Sequence, residues 1–222
     1  MKKTILTTFC MMFIATSAYA VSMGISGTAL YYDAEGTETV KSSNQKNTAG
    51  ENGFAPIPSF FIETESDNGG IIGMEIIPYG AKVADFDNSR TDTDTDDSSD
   101  SSGNNKGDVN FKNHITLYLE QPVSSPIDDS FIKFGVSRVT IETDESLATG
   151  TTYGDENVMG LMIGFGKKTE REDGTFIKIV GEVARYQGAT FEGSTDSDSV
   201  KNSIELDDFT TAGIRFSIGK SF

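Results

Sequence analysis

The sequence has 222 residues, 36% of them hydrophobic, with 34 acidic against 18 basic side chains and a formal net charge of -16. So acidic a chain forms no basic face easily, which argues against nucleic acid as a partner. No run of eighteen apolar residues follows the amino-terminal segment, so no helix is expected to span a membrane, and the length fits one domain or one barrel.

The amino terminus reads as a signal peptide over residues 1–20. Lys2 and Lys3 give a positive start, Ile5 to Ile14 an apolar centre, and Ala18-Tyr19-Ala20 an A-x-A cleavage site, which puts the mature start at Val21. Cys10 raises a lipoprotein reading, but bulky Phe9 stands where a small residue is wanted. Cleavage would leave residues 21–222 without cysteine, held by packing and hydrogen bonds alone.

From Val21 to Tyr32, residues Met23, Ile25, Gly27, Ala29 and Tyr31 alternate with Ser22, Gly24, Ser26 and Thr28, the period of a strand. A polar loop is expected from Asp33 to Gly53. The second strand runs from about Pro56 to Glu65, with its prolines near the start, where a missing N–H does least harm. Asp67-Asn68-Gly69-Gly70 is a tight turn, and the third strand covers Ile71 to about Val83. Ala84 to Asn110 is a second long loop with the low-complexity acidic run TDTDTDDSSDSSGNNKGD. Strand four is Phe111 to Gln121, strand five Ser130 to Glu142, strand six Val158 to Lys168 and strand seven Thr175 to Gln187. Between them come a short link, a polar loop from Thr143 to Asn157, and the turn Glu170 to Gly174; a last loop spans Gly188 to Glu205.

In the closing strand Ala212, Ile214, Phe216, Ile218 and Phe222 fall on one face and Thr211, Gly213, Arg215, Ser217, Gly219 and Ser221 on the other. One face suits hydrocarbon, the other a polar interior. The count is eight strands of roughly ten residues, the length a tilted strand needs to cross a bilayer, joined by alternating long and short connections. This pattern with its terminal Phe resembles the last strand of bacterial outer-membrane β-barrels. The mature chain as a whole resembles the small eight-stranded, porin-like outer-membrane proteins of Gram-negative bacteria. The resemblance implies an all-β, eight-stranded antiparallel up-and-down transmembrane β-barrel in the outer membrane. It makes Ile214, Phe216, Ile218 and Phe222 a signal read by the barrel assembly machinery, and surrounds the protein with outer-membrane lipid and lipopolysaccharide. Lys220 departs from the pattern, where an apolar residue is usual; so near the chain end it can snorkel to headgroups.

Periodicity alone does not separate a membrane barrel from a secreted soluble β-sandwich or barrel, since the latter turns its apolar face inward. Charges help: Glu75, Lys133, Lys178, Glu182 and Arg215 all oppose the cleaner apolar rows. They are expected inside as a network of ion pairs, with Glu75, Lys133 and Lys178 low at matching heights and Glu182 and Arg215 at mid-height. An eight-stranded interior is about filled by its own side chains, so a wide water channel is not expected. Tyr31, Tyr32, Tyr79, Phe111, Phe131, Phe176, Tyr186, Phe209 and Phe222 lie near strand ends and suit interfacial girdles.

Chemistry is sparse. His114 is the only histidine, and no serine lies at strand spacing from it, so a lipid-hydrolase triad is not expected. Asp92, Asp94 and Asp96 alternate as in an EF-hand, but Asp97 stands where glycine is required and Gly103 where the terminal glutamate belongs. Those four aspartates leave at most a weak attraction for Mg²⁺ or Ca²⁺, through which the loop would contact anionic lipopolysaccharide. No zinc site, cofactor site or phosphate loop is expected: the glycines of Gly160 to Gly166 sit inside a strand with no helix after it. The expected role is structural or surface-interactive, on a plugged barrel with acidic extracellular loops. The alternative is a narrow channel for small solutes. Oligomeric state is open.

Overall fold

A computed structural model describes residues 20–40, 45–93, 100–124, 127–147, 152–194 and 202–222. Of the expected signal peptide only Ala20 falls within them, opening the first strand. Twelve strands follow: β1 (Ala20–Val40), β2 (Gln45–Glu65), β3 (Ile71–Ile77), β4 (Ala81–Thr93), β5 (Asp100–Pro122), β6 (Ser130–Ser146), β7 (Thr152–Tyr153), β8 (Glu156–Glu170), β9 (Thr175–Tyr186), β10 (Ala189–Ser194), β11 (Ser203–Leu206) and β12 (Phe209–Ser221).

Eight of them form a ring in the order β12-β9-β8-β6-β5-β3-β2-β1. Every neighbour is antiparallel, and β1 returns to β12 with Ser22 opposite Ser221 and Asp33 opposite Thr210, which closes the barrel. The remaining strands prolong the wall at the end away from Ala20 and Phe222. β4 continues β3 along β5, and β11 lies between β1 and β10.

The ring stands on short turns that the sequence dictates locally. Gly69 (φ 77°) and Gly174 (φ 79°) adopt the left-handed conformation that a residue with Cβ resists. Around them, Gly69 N–H bonds the Ser66 carbonyl at 2.8 Å and Gly174 N–H the Arg171 carbonyl at 2.9 Å. Ala20, the first described residue, and Phe222 share this side, where Phe222 N–H bonds the Val21 carbonyl at 2.9 Å.

The alternation then sorts side chains by parity. Ile163 (54% exposed), Ile179 (48%) and Phe216 (56%) point outward, with Ile25, Leu119, Phe134 and Ile218 around the same belt. On β1 the belt runs from Val21 to Tyr31, about 34 Å of strand at ~3.4 Å per residue, or about 26 Å of height at a ~40° tilt. That matches the ~25 Å apolar band of an outer-membrane barrel. The predicted signal residues Ile214, Phe216, Ile218 and Phe222 all face out.

Three expectations need correction. First, much of the predicted loop sequence is strand. β1 and β2 pair along their full lengths, Ala20 to Val40 against Gln45 to Glu65, and β4 pairs β5 out to Thr93 and Asp100. Beyond the bilayer both faces of a hairpin can be wet, so no apolar alternation marks it. Cross-strand pairs such as Thr37 Oγ1 to Thr48 Oγ1 (2.9 Å) join its strands instead. Second, Tyr32, Phe111, Phe131, Phe176, Tyr186 and Phe209 form no girdle, because all six are buried. Parity decides: Phe176 and Tyr186 share the inward face of β9 with Lys178 and Glu182, while Tyr79 and Phe222 are exposed. Third, β5 is not one regular strand. A register shift between Lys112 and Ile115, with Asn113 at φ 49°, is a bulge that brings Phe111 inside.

One edge of the wall lacks a partner. Pairing of β2 with β3 stops at Phe60 opposite Ile76, and among the described residues β4 bonds only β5. Along the facing edge of β2 stand Pro56 and Pro58. Tyr79 Oη donates to the Pro58 carbonyl at 2.7 Å across this seam. A strand residue points its N–H and C=O to the same side, so both proline nitrogens, which carry no hydrogen, face the seam as well.

If the belt faces lipid, Phe216→Arg at its mid-height destabilises the barrel by about 2–4 kcal/mol. Urea titration of the protein in vesicles, followed by the gel shift between unheated and boiled samples, measures the loss. An unchanged midpoint would falsify the lipid-facing assignment.

Candidate functional site

The interior is where chemically active side chains converge. Arg215 projects from β12 and donates to Glu182 on β9, from Nε at 3.2 and 3.1 Å and from an Nη at 2.5 Å, and to Glu75 on β3 from its other Nη. Lys133 from β6 approaches the same two carboxylates, 3.8 Å from Glu75 and 4.0 Å from Glu182, over the Tyr118 ring at 4.1 Å. Towards the short-turn end Lys178 bonds Glu63 at 2.7 Å and Glu120 at 2.6 Å, and Tyr118 Oη donates to Glu63 at 2.9 Å. Phe61, Phe131 and Phe176 ring the Lys178 ammonium at 5.9, 5.5 and 5.6 Å. All these charged groups are buried.

Charge enclosed on the axis and aliphatic side chains on the perimeter invert the order of a soluble core. No protein-family model and no curated protein sequence matches the chain. Solved structures do. The outer membrane protein AlkL, determined by solid-state NMR in DMPC bilayers, has a TM-score of 0.51 at 12% identity, covering 94% of both chains. The outer membrane protein OprG from Pseudomonas aeruginosa has 0.48 at 10%, covering 93% of this chain and 98% of its own. The outer membrane protease OmpT from Escherichia coli has 0.43 at 8%, covering 94% and 99%. The chain has the fold of an outer-membrane β-barrel.

The barrel brings all five sequence-predicted lumen residues, Glu75, Lys133, Lys178, Glu182 and Arg215, to its axis, but in two groups other than those expected. Lys178 belongs with Glu63 and Glu120, whereas Lys133 and Glu75 join Glu182 and Arg215. Counting residues from each turn ignores the stagger of a tilted sheet. Lys133, three residues into β6, lies in one hydrogen-bonded row with Gly164 and Glu182, and Glu182 is seven residues into β9.

Sequence reasoning did not put Glu63, Glu120 and Tyr118 in the network. Their signal was parity: Glu63 alternates with the outward Phe60 and Ile62, and Tyr118 and Glu120 with Leu117 and Leu119. Room for the large inward rings comes from glycine on the adjacent strand. A Cβ on Gly160 would meet Tyr186 at 2.6 Å, and one on Gly166 would meet Phe131 at 2.7 Å.

Beyond the ion pairs lies a cavity of ≈ 30 Å³ lined by His114, Thr116, Ser137, Tyr186, Glu182 and Arg215 among others, about the size of one or two waters. His114 Nε2 is 3.2 Å from Tyr186 Oη and 3.4 Å from Thr116 Oγ1. Ser137 reaches it through Thr116, 2.9 Å away. Above the cavity Tyr186 stacks on Phe209 (centroids 5.0 Å, 8°), Phe111 leans on both, and Val139, Ile141, Val158 and Phe191 continue the apolar filling. The half of the lumen away from the short turns is therefore apolar, whereas the interior residues expected from the sequence are all charged.

Of the weak divalent-cation candidates, Asp92 sits in β4 opposite Ser101, and Asp94, Asp96 and Asp97 lie outside the described residues. Lower on the β4–β5 extension, Lys82 pairs with Asp108 and Lys106 with Asp87, each at 2.8 Å. Those hydrogen bonds lift both ammonium groups above their ordinary range.

Arg215→Met strands Glu75 and Glu182 with Lys133 as their remaining cation and costs about 3–5 kcal/mol of stability. Adding Glu75→Gln and Glu182→Gln recovers most of it. Urea midpoints of wild type, single and triple variants report the pattern, and an Arg215→Met barrel as stable as wild type refutes the network.

Proposed function

We propose that this is a surface protein whose barrel anchors extracellular hairpins while its lumen stays closed to water-borne solutes. The observation that carries this reading is the double filling of the lumen, with ion pairs across the lower half and apolar side chains across the upper. An ion crossing it would have to break buried charge pairs and then enter an unhydrated section, each costing several kcal/mol. The long hairpins β1–β2 and β4–β5 supply the surface for contact. The acidic run that joins β4 to β5 in the sequence supports a cation-bridged approach to lipopolysaccharide. No catalysis is assigned: His114 is enclosed beneath the Tyr186–Phe209 stack and reaches Ser137 through intervening hydroxyl groups such as that of Thr116.

In planar bilayers the purified barrel gives no steady single-channel steps, and Arg215→Met combined with Glu75→Gln and Glu182→Gln does not create them, because the apolar section remains. Regular conductance steps from the wild type establish the narrow-channel alternative in its place.

The seam between β2 and β4 favours a second reading. It flanks the apolar half of the lumen, with Ala55 and Ile57 on one side and Ala81 and Val83 on the other, all four buried and inward. In register, Pro58 lies opposite Gly27 and Pro56 opposite Ala29, both within the outer part of the lipid belt. A small apolar molecule that loosened the upper filling could leave sideways into the bilayer without meeting the ion pairs. On this reading vesicles holding the barrel take up an apolar fluorophore faster than empty vesicles, and Tyr79→Phe, which removes the tie to Pro58, accelerates uptake further. Equal uptake by loaded and empty vesicles removes it.

A further inference from the structure

Outside the barrel, positive charge is unevenly placed. Arg138 on β6 and Arg185 on β9 are both exposed and both continue an outward belt row: Phe134, Val136, Arg138 on one strand and Ile179, Val183, Arg185 on the other. They therefore stand at the extracellular edge of the lipid belt. The strand between them, β8, puts Met159 opposite Arg138 and Leu161 opposite Arg185. Leu161 is 69% exposed, more than its belt neighbours Met159 (43%) and Ile163 (54%). Two interstrand spacings and two residues separate the arginines, a Cβ distance of roughly 12 Å, which two arginine side chains can close onto one headgroup.

Their partners leave positive charge to spare. Arg138 Nη2 donates to the neutral Asn157 side chain at 3.0 Å, and among the described residues no carboxylate is within ion-pair distance of it. Arg185 meets Asp208 at 3.3 Å, but its side chain is 72% exposed and that of Asp208 is 52% exposed, so the pair is solvated and weak. On β1 the exposed outward residues at the comparable position are Asp33, in the same hydrogen-bonded row as Arg185 with Thr210 between them, and Glu35, so the positive stretch of the rim ends at β9. In a chain of net charge -16, an aliphatic wall capped by two arginines complements a ligand with acyl chains below and phosphate above.

We propose that Arg138 and Arg185, with Met159 and Leu161 beneath them, form a binding site for a phosphorylated glycolipid of the lipid A type in the outer leaflet. Guanidinium forks suit phosphate oxygens, and the β8 side chains contact the acyl chains. The site is independent of whether the lumen conducts. It goes beyond the cation-bridged contact of the acidic hairpin, because it needs no divalent ion.

The test uses the full mature barrel refolded in phosphatidylcholine vesicles and titrated with bisphosphorylated lipid A in the presence of chelator. R138Q/R185Q weakens binding roughly 30-fold, about fivefold for each arginine near an anionic surface. K220Q, a change at the opposite rim, leaves the affinity within about twofold of wild type, as expected for a surface charge far from the site. The unheated gel mobility of each variant reports that it is folded. Wild-type affinity for the lipid also falls as salt is added, a measurement that needs no variant. The site is overturned if R138Q/R185Q binds as tightly as wild type, if dephosphorylated lipid A or phosphatidylglycerol binds as tightly as the bisphosphorylated form, or if wild-type binding is indifferent to salt.

Discussion

Backbone hydrogen bonding in hydrocarbon is the constraint on which the rest of this structure depends. A strand in lipid has no water to satisfy its N–H and C=O groups, so the sheet must close on itself. The β1–β12 ladder from Ser22 to Asp33 provides that closure. Once the ring is shut, parity assigns every side chain to lipid or lumen, and the small circumference of eight strands pushes the inward set together. Ion pairs among Glu75, Lys133, Glu182 and Arg215 are a consequence of that crowding, because charges brought together away from water must be neutralised locally.

The same constraint explains where the wall departs from regular pairing. The lower ring is paired throughout. Pro56 and Pro58 stand on the β2 edge opposite β4, where there is no ladder for them to break, and Tyr79 supplies the bond that crosses to it. Further out, the hairpins stand beyond the bilayer, and unpaired edges there can be met by water.

The sequence made the membrane strands legible because lipid and lumen impose opposite demands on alternate residues; the belt rows of Ile163, Ile179 and Phe216 were readable without coordinates. The extensions were not. Thr37 and Thr48 carry no apolar alternation, so a paired strand and a solvated loop look alike there. The interior charges were legible as a set but not as partners, since pairing depends on stagger, a property of the whole sheet that no single strand encodes. The aromatic filling of the lumen was misassigned for a related reason. Position near a strand end was taken as the guide for Phe176 and Tyr186, when their parity with Lys178 and Glu182 was the stronger one. At Phe111 parity itself failed, because the bulge at Asn113 reverses it.

The niches into which the inward rings settle tie distant parts of the chain to one another. Tyr186 occupies the space that a methyl group on Gly160 would need, and Phe131 does the same at Gly166. Neither member of such a couple can enlarge or shrink alone without a clash or a void. Substitutions acceptable at these places must arrive together, on strands that meet only after folding. Among descendants of this chain the two positions would change as one heritable unit, a tie that a lone sequence cannot display.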